Sequence, residues 1–360
     1  MGQQFADARR RRQNKSISHS CKLARPRELD AWAKLVSDGS VGTSQTSTRG
    51  GGTLAKIQVL MSTYNGERFL PEQLESLALQ KDCPGWSLLW RDDGSSDCSV
   101  QIMDAFQPAQ RVVDKESRLG PAMSFFYLLA AADPEADAFA FCDQDDVWLP
   151  DKLSRAWEWL SSQDPGRPAL YFARQQLVDF RLRSIRLSPA FLRPPDFRNA
   201  LVQNIAAGCT IMMNSMARDV ILAAPPPKKS MHDWWAYILV SGAGGAMRGD
   251  HRPVILYRQH EANVVGASSS GCRRAWLALR RGPNVFLETF QAHLNALEKV
   301  SHLLTAEARS SLDLLSQLAD LSVHERVRRL SRAHLYRQGV SENVLLWGYF
   351  LLGGWRRPDT

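Results

Sequence analysis

Apolar positions enter this chain abruptly at Ile57. Residues 1–54 are polar and basic and end in a Ser/Thr/Gly-rich stretch, a composition that buries too little apolar surface to offset ordering, so a flexible tail is expected there. Ile57-Gln58-Val59-Leu60-Met61 is then a short apolar run stopped by Ser62-Thr63-Tyr64-Asn65-Gly66, which reads as a buried strand and a loop. An amphipathic stretch over residues 69–80 tolerates Pro71 in its first turn and turns Leu74, Leu77 and Leu79 partly inward, as a helix would. A second apolar run, residues 86–90, stops at Arg91-Asp92-Asp93-Gly94-Ser95-Ser96-Asp97, whose Ser and Asp residues suit the N-terminus of a helix over 99–106. A short strand at 111–113, a helix at 121–131, a strand at 138–142 and a helix opened by Pro150 continue the alternation.

Strand and helix thus alternate at least three times within a hundred residues, which predicts an α/β fold with a mostly parallel, Rossmann-like sheet covered on both faces. Ligands bind such sheets beyond the carboxyl ends of the strands, where each polar cluster above is placed. From residue 171 to 257 the pattern is looser. It predicts a strand at 209–213, a helix at 216–222, a Pro-rich break at 225–227, a helix from near His232 and a last strand at 253–257. Beyond residue 270 the pattern turns helical, with an apolar stripe through Leu303, Leu312, Leu314, Leu315 and Leu318.

The 360 residues are 44% hydrophobic and 23% charged, which fits a folded protein with a sizeable core. The net charge of +8 is concentrated in the N-terminal tail and the C-terminal third. Such blocks can favour anionic partners, but a solvated tail accounts for the first, and no nucleic-acid partner is expected. Six cysteines lie far apart without a C-x-x-C pair, which predicts reduced thiols and a cytoplasmic protein. No apolar run reaches the roughly 18 residues of a membrane span, and no secretory signal is expected.

The chemistry concentrates in Phe141-Cys142-Asp143-Gln144-Asp145-Asp146-Val147-Trp148. Three carboxylates directly after a buried strand repel one another unless a cation or strong donors offset them, and hard oxygen ligands favour Mg²⁺ or Mn²⁺. Asp146 serves equally well as a cap before the next helix. The Asp92-Asp93-Gly94-Ser95-Ser96-Asp97 segment can present a carboxylate to a base or ribose, although turn and cap account for it alone.

Val59-Leu60-Met61-Ser62-Thr63-Tyr64-Asn65-Gly66-Glu67, Arg91-Asp92-Asp93-Gly94-Ser95-Ser96-Asp97 and Cys142-Asp143-Gln144-Asp145-Asp146-Val147-Trp148-Leu149-Pro150, in this order, resemble family 2 glycosyltransferases of the GT-A fold, and the last of them the bacterial rhamnosyltransferase-like branch that builds surface polysaccharides. The resemblance implies a catalytic domain over residues 55–268 and a helical C-terminal extension over 269–360. It implies an inverting, metal-dependent transfer of a sugar from a nucleoside-diphosphate donor, dTDP-rhamnose favoured, to a saccharide or lipid-linked acceptor. By position, Ser62, Thr63, Tyr64, Asn65, Glu67, Asp93 and Asp143 would bind the donor, with Tyr64 stacking near the base. Asp145 would ligate the metal together with Asp143. Asp233, in His232-Asp233-Trp234-Trp235, would be the catalytic base, although an N-cap role also fits it. His260, in Tyr257-Arg258-Gln259-His260, would complete the metal shell or contact the diphosphate, with a structural role equally open. Gly208-Cys209-Thr210 resembles the acceptor side. One departure is Arg118-Leu119-Gly120, where the family has Asn-Leu-Gly.

A dehydrogenase would need a Gly-rich first turn, and Ser62 to Gly66 holds one glycine. A nucleotidyltransferase would need a Gly-rich, basic first loop, which is absent, and a non-catalytic sugar-binding protein would leave the acids without a task. The apolar, aromatic segment at 344–355, followed by Arg356 and Arg357, predicts a packed terminal helix or one lying peripherally on an anionic membrane.

Overall fold

The computed structural model describes residues 55–107, 109–113, 118–259, 283–316 and 318–352. The predicted flexible tail, both boundaries of the 55–268 domain, His260 and the terminal Arg356 and Arg357 fall on or beside residues outside these ranges.

The first half follows the predicted alternation closely: β1 (Lys56–Thr63), α1 (Leu70–Ala78), β2 (Gly85–Asp92), α2 (Ser99–Ala105), β3 (Ala109–Arg111), α3 (Gly120–Ala131), β4 (Ala138–Cys142), the two-residue β5 (Val147–Trp148) and α4 (Lys152–Leu160). Then come β6 (Ala169–Val178), β7 (Ser184–Leu187), the short α5 (Phe197–Ala200), β8 (Met212–Asn214), α6 (Ser215–Leu222), α7 (His232–Gly242) and β9 (Ala246–Arg258). Four further helices follow among the described residues: α8 (Pro283–Lys299), α9 (Ala306–Leu315), α10 (Val323–Ala333) and α11 (Val340–Leu352).

The nine strands form one sheet in the order β3-β2-β1-β4-β8-β6-β9-β5, with β7 paired to β6. The expectation of a parallel sheet holds for β3, β2, β1 and β4, and again for β6 with β9. The exceptions that make it mostly rather than wholly parallel are β8, antiparallel to both β4 and β6, β7 against β6 and β5 against β9. For β8 the reason is local: a one-turn 3₁₀ segment, Gly208–Thr210, feeds the chain into β8 from the edge where β4 ends. Because β8 reverses twice, β6 and β9 run in the same direction as β4. The carboxyl ends at Thr63, Asp92, Cys142, Val178 and Arg258 therefore share one edge of the sheet with Gly208.

Alternation along the strands divides the core. On β4 the large Phe139 and Phe141 face one side while Ala138, Ala140 and Cys142 face the other, as the two-residue period demands. The small-residue face is covered by α1, α2 and α4 through Leu74, Leu77, Met103, Leu153 and Ala156. The large-residue face meets α3 and α7, and the same buried cluster continues into Leu287, Phe290 and Leu294 of α8 and Leu346 and Phe350 of α11. Of the two readings of the terminal segment, packing is what the structure displays: Phe350 stacks edge-on against Phe286 and Phe290. Among the described residues no helix is long and apolar enough to cross a membrane.

Cys83, Cys142 and Cys209 are free thiols, whereas Cys98 is disulfide-bonded.

Candidate active site

Two polar turns at the shared edge are stitched into one surface. After β1, the Asn65 amide donates to Ser95 Oγ (2.9 Å), and the Asn65 side-chain oxygen accepts from the Ser96 amide (2.8 Å). The Glu67 amide donates to Asp97 (3.0 Å), while the Glu67 carboxylate accepts from the Cys98 amide (2.9 Å). Asn65 takes a left-handed conformation (φ 48°), which Asn tolerates better than most residues. Thr63 is buried, and its hydroxyl donates to the Asp92 carboxylate (3.1 Å), which in turn closes the turn by accepting from Ser95. Asp97 accepts from the Ser99 amide one residue before the N-cap of α2, so it steadies the helix start from just outside. Asn65, Glu67 and Thr63 thus spend polar groups on building the turn.

Asp93 is likewise engaged. One oxygen accepts from Arg91 Nη1 (2.6 Å) and the Leu119 amide (2.7 Å), the other from the Gly120 amide (2.9 Å) at the start of α3. A helix N-terminus and a buried guanidinium both favour an anion there. Arg91 also donates to Ser124 Oγ, which accepts from Ser62 Oγ as well, both at 2.8 Å. Arg118 occupies the place of the family's Asn and lies over the exposed Tyr64 ring, 5.5 Å from its centroid.

The acidic loop is tied to these turns by Gln144. Its side-chain amide accepts from the Tyr64 amide and donates to the Tyr64 carbonyl, both at 2.9 Å, mimicking a strand pairing. Gly66 makes this possible, since a Cβ there would sit 2.2 Å from Gln144 Oε1. From below, Arg258 at the end of β9 is almost fully buried and gathers four elements. Its Nε donates to the Asp145 carbonyl (2.9 Å), its Nη1 to the Phe180 carbonyl (3.1 Å), its Nη2 to Glu72 of α1, and its backbone amide to Asp146 (3.2 Å).

Asp143 is half-buried, and its carboxyl is pushed up to about 7, first by burial and then by the charges of Asp145 and Asp233, with Lys152 opposing. Three acids from two distant segments therefore share one electrostatic environment. Asp146 is fully buried and pushed well up, chiefly by burial; its Oδ2 has no hydrogen-bond partner among the described residues. Beneath them Lys152, buried and lowered to about 8 by desolvation, donates to the Cys209 carbonyl (2.7 Å) and lies over the Trp148 ring.

Asp233 stands in the first turn of α7. One oxygen accepts from the Trp234 amide (2.6 Å) and the other from the Gly208 amide (3.0 Å). Its neighbour His232 is buried between Phe125, stacked at 4.2 Å, and Phe141, edge-on at 4.9 Å. Burial holds that ring down to about 4, so it is neutral near pH 7.

The donor set fits a hard divalent cation. Ligand atoms of Asp143, Asp146 and Cys209 lie within 4.8 Å of one another, but the Cys209 thiol is pushed well up by burial and so stays protonated. Lys152 adds a positive charge on that inner side. Of that group, the carboxylates of Asp143 and Asp146 rather than the protonated thiol are of the kind that Mg²⁺ or Mn²⁺ favours.

Sequence reasoning missed the supporting residues. Gln144 stands inside the acidic motif but was given no role there, and Lys152 and Ser124 carry no motif that marks them, although Lys152 stands on the apolar face shared with Leu153, Ala156 and Leu160, an unusual position for a lysine.

The family model for Glycosyl transferase family 2 matches residues 58–222. The dTDP-rhamnosyl transferase RfbG of Shigella flexneri is 29% identical over 237 residues, spanning 58% of this chain and 75% of that protein. Among solved structures, residues 1–349 of S. aureus TarS in complex with UDP-GlcNAc give a TM-score of 0.49 at 14% identity, covering 77% of this chain and 90% of that one. The mannosyltransferase PcManGT of Pyrobaculum calidifontis, in complex with GDP-Man and Mn²⁺, gives 0.42 at 17% identity over 86% and 92%. Residues 58–222 thus match a family 2 glycosyltransferase domain, set in a mixed α/β fold with a mostly parallel sheet, and the match together with the relative makes the protein a glycosyltransferase.

Proposed function

We propose that the protein transfers a sugar, with inversion, from a nucleoside-diphosphate donor to the hydroxyl of a saccharide or lipid-linked acceptor in surface polysaccharide synthesis. The observation that carries this reading is the meeting of Asp143, Asp145 and Asp233, from the loop after β4 and the first turn of α7, in one electrostatic environment.

In this reading Tyr64 and Arg118 flank the base, Ser62 and the Asp93 cradle border the nucleoside, and Asp143 faces ribose or the donor sugar. Asp93 retains one lone pair for this, since three of its four are used. Asp143 and Asp145 would hold Mg²⁺ or Mn²⁺. A bound divalent cation would neutralise charge on the departing diphosphate. The acceptor oxygen attacks the anomeric carbon as the bond to the diphosphate oxygen breaks, and the hydroxyl proton passes to an Asp233 oxygen. The Gly208 and Trp234 amides hold that carboxylate in place, and single displacement gives inversion. Rhamnose from a thymidine diphosphate is favoured by the likeness to RfbG. Such donors are made in the cytoplasm, where we place the reaction.

The test is a donor panel: nucleotide sugars screened for thermal stabilisation and hydrolysis, each with and without Mn²⁺. Stabilisation and turnover with dTDP-rhamnose that need the metal are expected. Equal response to all donors, or none to any, contradicts the reading.

A further inference from the structure

Lys152 opens α4 soon after the acidic loop, yet it is only 1% exposed and shares the buried face of that helix with Leu153, Ala156 and Leu160. Among the described residues its ammonium makes one hydrogen bond, to the Cys209 carbonyl at 2.7 Å, and it rests on the Trp148 ring, 3.1 Å from the centroid. A stem that only filled space here would serve better as methionine or leucine, because an ammonium gives up its hydration on burial. What the lysine adds over them is a charge-assisted donor aimed at one carbonyl.

That carbonyl belongs to the turn on which Asp233 depends. Gly208–Thr210 is a single turn of 3₁₀ helix. Its own bonds run from the Thr210 amide to the Ala207 carbonyl and from the Ile211 amide to the Gly208 carbonyl, both at 2.9 Å, and the Cys209 carbonyl is taken by Lys152. The Gly208 amide, two peptide planes back along the same turn, donates to one Asp233 oxygen at 3.0 Å. A three-residue segment thus carries a donor to Asp233 at its start and an acceptor for Lys152 at its middle. With Asp233 as the base of the proposed reaction, we propose that Lys152 is a positioning residue for transfer: it sets the tilt of the Gly208–Thr210 turn and, through the Gly208 amide, aims the Asp233 carboxylate at the incoming hydroxyl.

Other bonds keep the turn in place without fixing that tilt. The Thr210 hydroxyl donates to the Ala207 carbonyl (2.7 Å) and accepts from the Ala173 amide of β6 (3.2 Å). The second Asp233 oxygen keeps its bond from the Trp234 amide whatever the turn does. Loss of the lysine therefore leaves the turn folded while the Gly208 amide swings off the carboxylate. A misplacement of about 1 Å at a reacting group costs on the order of 10²-fold in rate, and release of one of two anchoring amides is expected to cost about tenfold.

The experiment is a double-mutant cycle on the full chain, Lys152→Met against Asp233→Asn. It is read by hydrolysis of dTDP-rhamnose at pH 8 with saturating Mn²⁺, water standing in for the acceptor. Lys152→Met should lower kcat about tenfold, with KM for dTDP-rhamnose and the unfolding temperature near wild type. In the Asp233→Asn background the same substitution should change kcat by less than about twofold, since its effect passes through the carboxylate. Lys152→Gln, shorter and uncharged, takes the place of the methionine variant in the same cycle if that protein does not fold. A normal kcat in Lys152→Met, an equal loss in both backgrounds, or a raised KM overturns the proposal. So does failure of both lysine variants to fold, which assigns Lys152 to the core alone. A normal kcat in Asp233→Asn contradicts Asp233 as the base and overturns the proposal with it, whereas an impaired Asp233→Asn beside a normal Lys152→Met leaves the base and removes only the lysine's role.

Discussion

At the scale of single residues, the site is a set of acids whose repulsion is contained by a few donors. Asp233 is the residue on which turnover depends in the proposed reaction. Asp233→Asn keeps one acceptor oxygen but turns an NH₂ group toward one of the two backbone amides that now donate to it. A modest loss of stability is therefore expected, with donor binding retained and transfer reduced by about 10²–10⁴-fold, the usual yield of a general base. Single-turnover transfer alongside donor titration checks this, and a normal rate would remove Asp233 from the mechanism. Asp143 and Asp145 were legible in the sequence because acids that follow an apolar strand stand out by type, whereas Asp233 was singled out only through the family resemblance, since by itself it reads as an N-cap. Gln144, Lys152 and Ser124 were not, since each acts through a backbone carbonyl, a ring or another hydroxyl that only the fold brings near. Arg258 was noticed without a role; its task of joining α1, the acidic loop and the β6 turn depends on contacts across up to 186 positions of sequence.

At the scale of elements, the link between the Gly208 turn and α7 decides where Asp233 points. A Cβ at Gly208 would meet His232 Nε2 at 2.9 Å and Asp233 Cβ at 3.3 Å. His232 has little room to retreat, being held between Phe125 and Phe141. Gly208→Ala should therefore cost about 1–3 kcal/mol, as overpacking commonly does, and lower the transfer rate with it. Gly85→Ala at the start of β2, where a Cβ would meet nothing within 4 Å, is the matched control and should change neither. Thermal unfolding of the two variants, read with their rates, decides the matter; equal behaviour would free Gly208 of any role. Most elements before residue 160 were predicted nearly to their ends, because hydrophobic period and turn residues agree there, but β3 lies two residues earlier than expected and the two-residue β5 was missed. The long β6 and the edge strand β7 were missed: β6 carries Arg174, Gln175 and Gln176 inside an apolar run, which blurs its period.

At the scale of the whole molecule, one sheet edge collects the ends of five parallel strands and the turn before β8, so residues from 62 to 258 meet. The direction of β8, and with it the sense of β6 and β9, could not be read from local patterns, because pairing direction is set by long-range contacts. The C-terminal helices share the buried cluster that carries α7. His293 of α8 stacks on Trp235 at 5.8 Å and lies within 2.8 Å of Ser230 Oγ, so the extension braces the helix that presents Asp233. In the proposed reaction Asp143 and Asp145 hold a single divalent cation facing a diphosphate. Asp143, pushed up to about 7, holds a proton below that pH, and a cation must displace it. The direct measurement is Mn²⁺ titration by electron paramagnetic resonance in the presence of dTDP, for wild type, Asp145→Ala and Asp233→Asn between pH 5.5 and 8. Wild-type affinity should fall by about tenfold per unit below pH 7 and level off above it, one proton being exchanged. Asp233→Asn should bind nearly as wild type, while Asp145→Ala should lose more than the roughly 10–100-fold that removal of an outer-shell partner costs. Asp145→Ala protein that binds Mn²⁺ as tightly as wild type, at every pH, would contradict the account.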